Sequence, residues 1–195
     1  MTLREMGAIV RISQQYSSMV NAARCLVAGA DVMRGPNQKP FNSMAYDYMM
    51  WIDSDIQFKI EDFFALYEMN KDIASGWYAQ PGDPKGNYFT PVVEKMNTKY
   101  FLSNGFFQFL RVKDFEIKKN PFVADYIGFG WVLIKNGVFE KLPYPWFAPR
   151  KIQLNASVAD MCSEDVAFCL DAREAGFELW VNPSVRVGHE KTLAI

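Results

Sequence analysis

Apolar residues recur along this chain in two rhythms. Between residues 16 and 30 (YSSMVNAARCLVAGA), Met19, Ala22, Ala23, Leu26 and Val27 fall three and four apart and predict a helix with one apolar face. Residues 7–12 (GAIVRI) and 72–78 (DIASGWY) are short apolar runs that predict strands. Residues 46–52 (YDYMMWI) are aromatic and apolar on both faces, as a buried parallel strand would be. Residues 60–70 predict a helix, and Glu61 and Asp62 suit its positive N-terminal end. Turn residues fill 34–42, and a Pro/Gly loop fills 80–87.

The pattern changes beyond residue 88. Aromatic, strand-prone segments over 88–118 flank Ser103-Asn104-Gly105 and predict a hairpin. A strand at 131–135, a short helix at 136–142 and a proline-aromatic loop at 143–149 follow. Residues 163–175 predict a helix with Ser163 as N-cap and Gly176 just past its end. Residues 177–181 and 184–188 predict two short strands separated by Asn182-Pro183. Strand–helix alternation followed by antiparallel signals points to an α/β sandwich with a central mixed sheet.

Composition narrows the possibilities. The 195 residues, half of them hydrophobic, suit one domain with a sizeable core. The formal charge of −1 gives no electrostatic reason to expect nucleic acid or an anionic membrane as main partner. No apolar stretch approaches the roughly 20 residues of a membrane helix. Arg4, Glu5 and Arg11 break up any signal-peptide core. Of three cysteines, Cys162 and Cys169 lie two turns apart on a predicted helix, about 10 Å along its axis. That is beyond disulfide reach. With one histidine and no CxxC pair, a Cys/His zinc site is not expected, and a reducing, cytoplasmic setting is.

Four local constellations carry candidate chemistry. Asp53-Ser54-Asp55 directly follows the strand at 46–52, and ligands of open α/β sheets bind at the carboxyl ends of strands. Mg²⁺ or Mn²⁺ takes one or two carboxylates and completes its shell with water and phosphate, which an Asp-x-Asp pair suits. About 0.7 such triplets arise by chance among twelve aspartates, so placement rather than the triplet carries the signal. Gly128 and Gly130 permit close backbone approach, while Phe129 and Trp131 offer flat faces on which sugar rings stack; glycine-relieved core packing is the competing reading. Glu164 and Asp165 open a helix, where acids sit for structural reasons or serve as a general base. His189 follows a short strand, as a hydrogen-bonded structural residue or a metal ligand, with Lys191 two residues on to meet phosphate.

In this order, the four constellations resemble the glycosyltransferases of the GT-A fold. That family carries an Asp-x-Asp motif, a glycine-containing loop, an x-Glu-Asp motif and a C-terminal histidine. The matching text is YDYMMWIDSDIQF, DIASGWY, ADYIGFGWVLIKNGVFEKL, PWF and SEDVAFCLDAREAGFELWVNPSVRVGH, within residues 15–191. The resemblance implies a Rossmann-like α/β/α sandwich, a nucleoside-diphosphate sugar donor (UDP-sugar favoured), a saccharide or other hydroxyl acceptor, and Mn²⁺ or Mg²⁺. By carry-over, Asp55 and His189 hold the metal, joined by Asp53, which also contacts ribose or donor sugar. Gly128, Phe129, Gly130 and Trp131 border the acceptor, and Asp165, with Glu164 as alternative, is the base. Asn21 and Arg24 fall on the helix where relatives touch the nucleotide. Members usually begin with a nucleoside-binding strand ahead of the segment matching 7–12, so residues 1–195 are expected to form a single domain lacking that strand.

Two other classes share part of this pattern. A metal-dependent nucleotidyltransferase would release pyrophosphate, but no glycine-rich phosphate loop is visible near the N-terminus. A non-catalytic sugar-binding module would use Trp77, Phe129, Trp131 and Trp146 as platforms and need neither metal nor nucleotide.

Overall fold

A computed structural model describes residues 3–81 and 88–190. In chain order the helices are α1 (Val20–Val27), α2 (Ile60–Tyr67), α3 (Thr98–Asn104), α4 (Val112–Ile117) and α5 (Glu164–Glu174). The strands are β1 (Tyr48–Ile52), β2 (Ile56–Gln57), β3 (Ile73–Trp77), β4 (Val92–Val93), β5 (Phe122–Ala124), β6 (Tyr126–Ile127), β7 (Trp131–Lys135), β8 (Lys151–Gln153), β9 (Ala159–Met161), β10 (Leu179–Arg186) and β11 (Gly188–His189).

Five strands form a central mixed sheet in the order β1-β7-β3-β10-β5. The β3–β10 pair is parallel and the other three pairs are antiparallel. Because β7 runs against both β1 and β3, the strands β1, β3 and β10 share one direction. Their carboxyl ends leave the sheet at one edge, and the chain entering β7 arrives there too.

Side chains of successive strand residues alternate between two cores. On β7, Val132 and Ile134 join one core, with Cys25 and Ala28 on or beside α1 and Phe168, Cys169 and Ala172 of α5. Trp131 and Leu133 join the other, with Leu66 of α2. Helices therefore cover both faces, as the sequence predicts. Between α5 and the sheet, Trp51, Phe129, Phe139, Phe147 and Phe168 interlock, with ring centroids 4.7 Å apart for Phe129–Phe168 and 5.1 Å for Trp51–Phe147. Burial of each such ring contributes on the order of 2 kcal/mol.

Several elements match the expected signals. The Asp62 carboxylate accepts the N–H of Lys59 at 2.7 Å, closing the first turn of α2. Past α5, Gly176 has φ +88° and the N–H of Phe177 returns to the carbonyl of Ala172 at 2.9 Å. Ser163 occupies the N-cap position, but its hydroxyl bonds the Asp165 carboxylate rather than a helix N–H.

Others depart from expectation. Residues 7–12 form no strand; Ile9 and Ile12 are about nine-tenths exposed (89% and 90%) with no sheet neighbour. Residues 46–52 supply an edge strand paired antiparallel, not a parallel one; burial by both cores gives it two apolar faces. No hairpin turns at 103–105: the Asn97 side chain caps α3, and Gly105, at φ +80°, ends it. A left-handed glycine serves a helix end as well as a hairpin. Residues 136–142 make single turns, not a helix. Asn182-Pro183 does not divide two strands, since β10 runs through it, but the pairing with β3 is irregular between Val181 and Arg186. The three cysteines are buried and free. Among the described residues no helix is long and apolar enough to cross a membrane.

Candidate active site

The shared sheet edge carries a cleft of about 430 Å³ lined by Arg24, Asp53, Asp55, Tyr78, Gln80, Pro81, Phe129, Asp165 and His189. Each reaches it for a local reason. Asp53 leaves the end of β1 with its N–H on the Gly130 carbonyl at 3.1 Å, so the Asp-x-Asp turn is tied to the entry of β7. Tyr78 and Gln80 follow the end of β3. His189 arrives from β10 through β11, which pairs antiparallel with β2, His189 opposite Ile56. The N–H of Glu190 then donates to the Asp55 carbonyl at 2.8 Å.

That small ribbon sets Asp55 against His189. His189 Nε2 lies 3.1 Å from Asp55 Oδ2, and its Nδ1 lies 3.2 Å from the Ala79 carbonyl. The ring is nearly buried and packs on Tyr78 at 4.8 Å between centroids. A hydrogen on Nε2 makes this contact a hydrogen bond to Asp55; with the hydrogen on Nδ1, donated to Ala79, the Nε2 lone pair would face the carboxylate, the arrangement in which the two groups would hold a cation together. A separation of about 3 Å is that of a hydrogen bond and also that of two neighbouring ligands of one octahedral ion. Among the described residues no group of three His, Cys, Asp or Glu gathers for a metal. The arrangement suits an ion with two protein ligands that completes its shell from water and phosphate, as Mg²⁺ and Mn²⁺ do.

Asp53 does not join this pair. Its two oxygens accept from Arg24 Nη1 and Nη2 at 3.1 and 3.3 Å, a forked contact. Arg24 Nε also reaches Glu164 Oε1 at 3.5 Å, and the guanidinium lies over the Phe129 ring, 5.3 Å from its centroid. Thus Arg24, on α1, ties together the first Asp of Asp-x-Asp and the start of α5. It is the one Arg or Lys lining the cleft among the described residues.

Asp165 presents its carboxylate to the cleft. Oδ2 accepts the Tyr126 hydroxyl at 2.8 Å, and Oδ1 is held by the Ser163 hydroxyl and the N–H of Val166. Burial, then the Asp165 charge, pushes the Tyr126 phenol well above its usual range. Burial, with Asp53 and Asp165 nearby, also raises Tyr78. Both phenols remain hydrogen-bond donors throughout ordinary pH. Glu164 points to Arg24 instead, so at this end of α5 Asp165 is the carboxylate that lines the cleft.

The remaining expected residues lie differently. A Cβ on Gly130 would stand 2.6 Å from Tyr78 Cε1, and one on Gly128 2.6 Å from Pro91 Cβ and 2.8 Å from the Tyr78 hydroxyl. These glycines make room for Tyr78 and Pro91 rather than for a ligand. Trp131 is buried against Phe58 at 4.4 Å and offers no face to the cleft. Trp77 and Trp146 are buried as well, and Phe129 shows the cleft only the surface under Arg24, so none serves as an open sugar platform. Asn21 sits one turn before Arg24 and does not line the cleft. Lys191 lies outside the described residues, as does 82–87 of the Pro/Gly loop. Sequence reasoning missed Tyr78, Gln80, Pro81 and the role of Tyr126. For Tyr78 a signal existed, since it ends a predicted strand where ligands gather.

No family model and no curated protein matches the chain. Among solved structures, the crystal structure of A197 from STIV is similar with a TM-score of 0.51 at 16% identity, over 90% of this chain and 70% of that one. At that identity the likeness concerns the fold alone.

Proposed function

We propose that this chain is a metal-dependent glycosyltransferase of the GT-A type, moving a sugar from a nucleoside-diphosphate sugar to a hydroxyl acceptor. The observation that carries the reading is the opposed Asp55–His189 pair, 3.1 Å apart, at the carboxyl edge of the sheet, with Asp165 in the same cleft. Mn²⁺ or Mg²⁺ held by Asp55 and His189 would neutralise charge developing on the leaving diphosphate. Asp53, oriented by Arg24, is placed to accept a hydroxyl of the donor. Asp165, steadied by the Tyr126 hydroxyl, takes the proton of the acceptor hydroxyl as its oxygen bonds to the anomeric carbon. The bond from that carbon to the diphosphate breaks, and the nucleoside diphosphate departs with the electron pair. A single displacement of this kind inverts the anomeric centre. UDP as the nucleotide of the donor follows the sequence resemblance.

Calorimetric titration of UDP with and without Mn²⁺ tests the reading. Binding should require the metal and fall at least about tenfold in Asp55→Ala, in line with the loss of a ligand. Equal binding by wild type and variant, or binding indifferent to chelator, would refute the assignment.

A further inference from the structure

A second cleft, of about 440 Å³, lies beside the first and is unused by the proposed reaction. Its walls include the rings of Phe89, Tyr100, Phe106 and Phe109 and the side chains of Arg111 and Lys113. The backbone shows how the two clefts relate. Gln80 bridges Phe89 and Phe89 bridges Arg111, both antiparallel, with Gln80 N–H on the Phe89 carbonyl at 2.8 Å. Residues directly opposite one another on adjacent strands point to the same face. Gln80 lines the first cleft, while Phe89 and Arg111 line the second. The rung Gln80–Phe89–Arg111 therefore steps from one cleft into the other on a common face. Two strand spacings of about 4.8 Å make that step roughly 10 Å, the length of a disaccharide. A second link runs beneath it, where Phe109 packs on Tyr126 (6.1 Å), whose hydroxyl holds Asp165.

The lining specifies chemistry. Arg111 and Lys113 are exposed and make no ion pair among the described residues. Asp114, also at the cleft, is engaged by the N–H of Arg111 at 2.7 Å. Phe106 is half exposed, and Tyr100 meets it edge to face at 6.0 Å. Flat rings with negative faces receive the C–H groups of a pyranose, while two cations without an ion pair among the described residues receive an anion. We infer that this second cleft is an acceptor subsite for an anionic saccharide, its ring on Phe106 and Tyr100 and its carboxylate or phosphate on Arg111 and Lys113. This rests on the glycosyltransferase reading for the word acceptor, though not for the binding itself.

The test titrates the full chain by calorimetry with hyaluronan disaccharide, its neutral methyl ester, glucose 6-phosphate and glucose, and separately with UDP and Mn²⁺. The acidic sugars should bind more tightly than their neutral partners, and whether the carboxylate or the phosphate gives the larger preference identifies the anion. Arg111→Gln with Lys113→Gln should weaken the acidic sugars by about fivefold or more, as expected for exposed charge pairs, and leave the neutral ones unchanged. Phe106→Ala should weaken both kinds. Circular dichroism checks that these surface variants fold. Equal affinity for acidic and neutral sugars, or an unaltered preference in the double variant, overturns the subsite even when UDP–Mn²⁺ binding is intact. Preference for acidic sugars without UDP–Mn²⁺ binding upholds the subsite and removes the transferase reading.

Discussion

Replacing Arg24 by Met isolates what its guanidinium does, because Met keeps an unbranched stem to pack on Phe129. Arg24 is 10% exposed and joins two carboxylates, Asp53 (38% exposed) and Glu164 (18%). Asp55 and Asp165 line the same cleft as Asp53, so the variant would leave three acids lining it, with Glu164 beside them, and no arginine or lysine in that lining among the described residues. Breaking a buried pair costs about 3–5 kcal/mol, since the stranded charge has lost its partner. Asp53 is too exposed for that full figure, because water screens its side of the pair. The contact with Phe129 adds about 0.5–1 kcal/mol. A loss of about 2–3 kcal/mol follows, which for a chain of this size lowers Tm by roughly 4–12 °C. Calorimetry at pH 7 in low salt, without divalent cations, measures it. A second variant separates charge from packing. Asp53→Asn added to Arg24→Met removes the stranded carboxylate, so the double variant should be more stable than Arg24→Met alone. If Arg24→Met melts within about 1 °C of wild type, or the added Asp53→Asn restores nothing, charge compensation is not what Arg24 supplies.

Other outcomes follow from the same geometry. Gly130→Ala should destabilise the protein by about 1–3 kcal/mol, because its Cβ would meet Tyr78 at 2.6 Å; Tyr78→Leu should absorb most of that loss, as chemical denaturation of the pair would show. His189→Gln should weaken Mn²⁺-dependent UDP binding as Asp55→Ala does, by about tenfold or more in the same calorimetric titration, because it removes the other half of the pair. The raised phenol of Tyr126 keeps its proton in the folded chain when the unfolded phenol has begun to lose it near pH 10. Its contribution is therefore complete below that pH and is lost as pH rises through the folded value. Wild-type stability should fall more steeply than that of Tyr126→Phe above pH 10, by up to about 1.4 kcal/mol per pH unit in denaturant titrations; parallel slopes would contradict the burial of that hydroxyl.

Legibility followed the strength of local signals. Helix α5 was readable because Ser163 and the acids of its first turn mark one end and Gly176 marks the other. Strand β1 was readable as a strand from its residues, but not as an edge, because two cores make its faces equally apolar. GAIVRI has strand propensity and nothing to pair with, and propensity without a partner does not fix a strand. Gly105 is a left-handed residue that ends α3, and only the Asn97 cap eight residues earlier separates that outcome from a hairpin. The glycines of the Gly128-Phe129-Gly130 segment are determined by Tyr78 and Pro91, residues far away in the chain. A reading confined to the segment assigns such a vacancy to a ligand.

The convergence of Asp53, Asp55, Asp165 and His189 has a topological cause that no motif contains. Strand β1 runs in the direction of the parallel pair β3 and β10 only because β7 is inserted antiparallel between β1 and β3. Reversing β7 would carry Asp-x-Asp to the opposite edge from His189. The final contact is narrower still, since β2 and β11 are two residues each and show no period to read. In register, Gly188 faces Gln57 and His189 faces Ile56, so the N–H of Glu190 finds Asp55. A slip of one residue would turn the imidazole to the other face of the ribbon and separate it from the carboxylate. Gly188 helps to hold that register: a Cβ there would stand 3.0 Å from Gln57 Cβ, closer than the ribbon readily accepts. The histidine thus owes its place beside Asp55 to a glycine before it and a two-residue pairing.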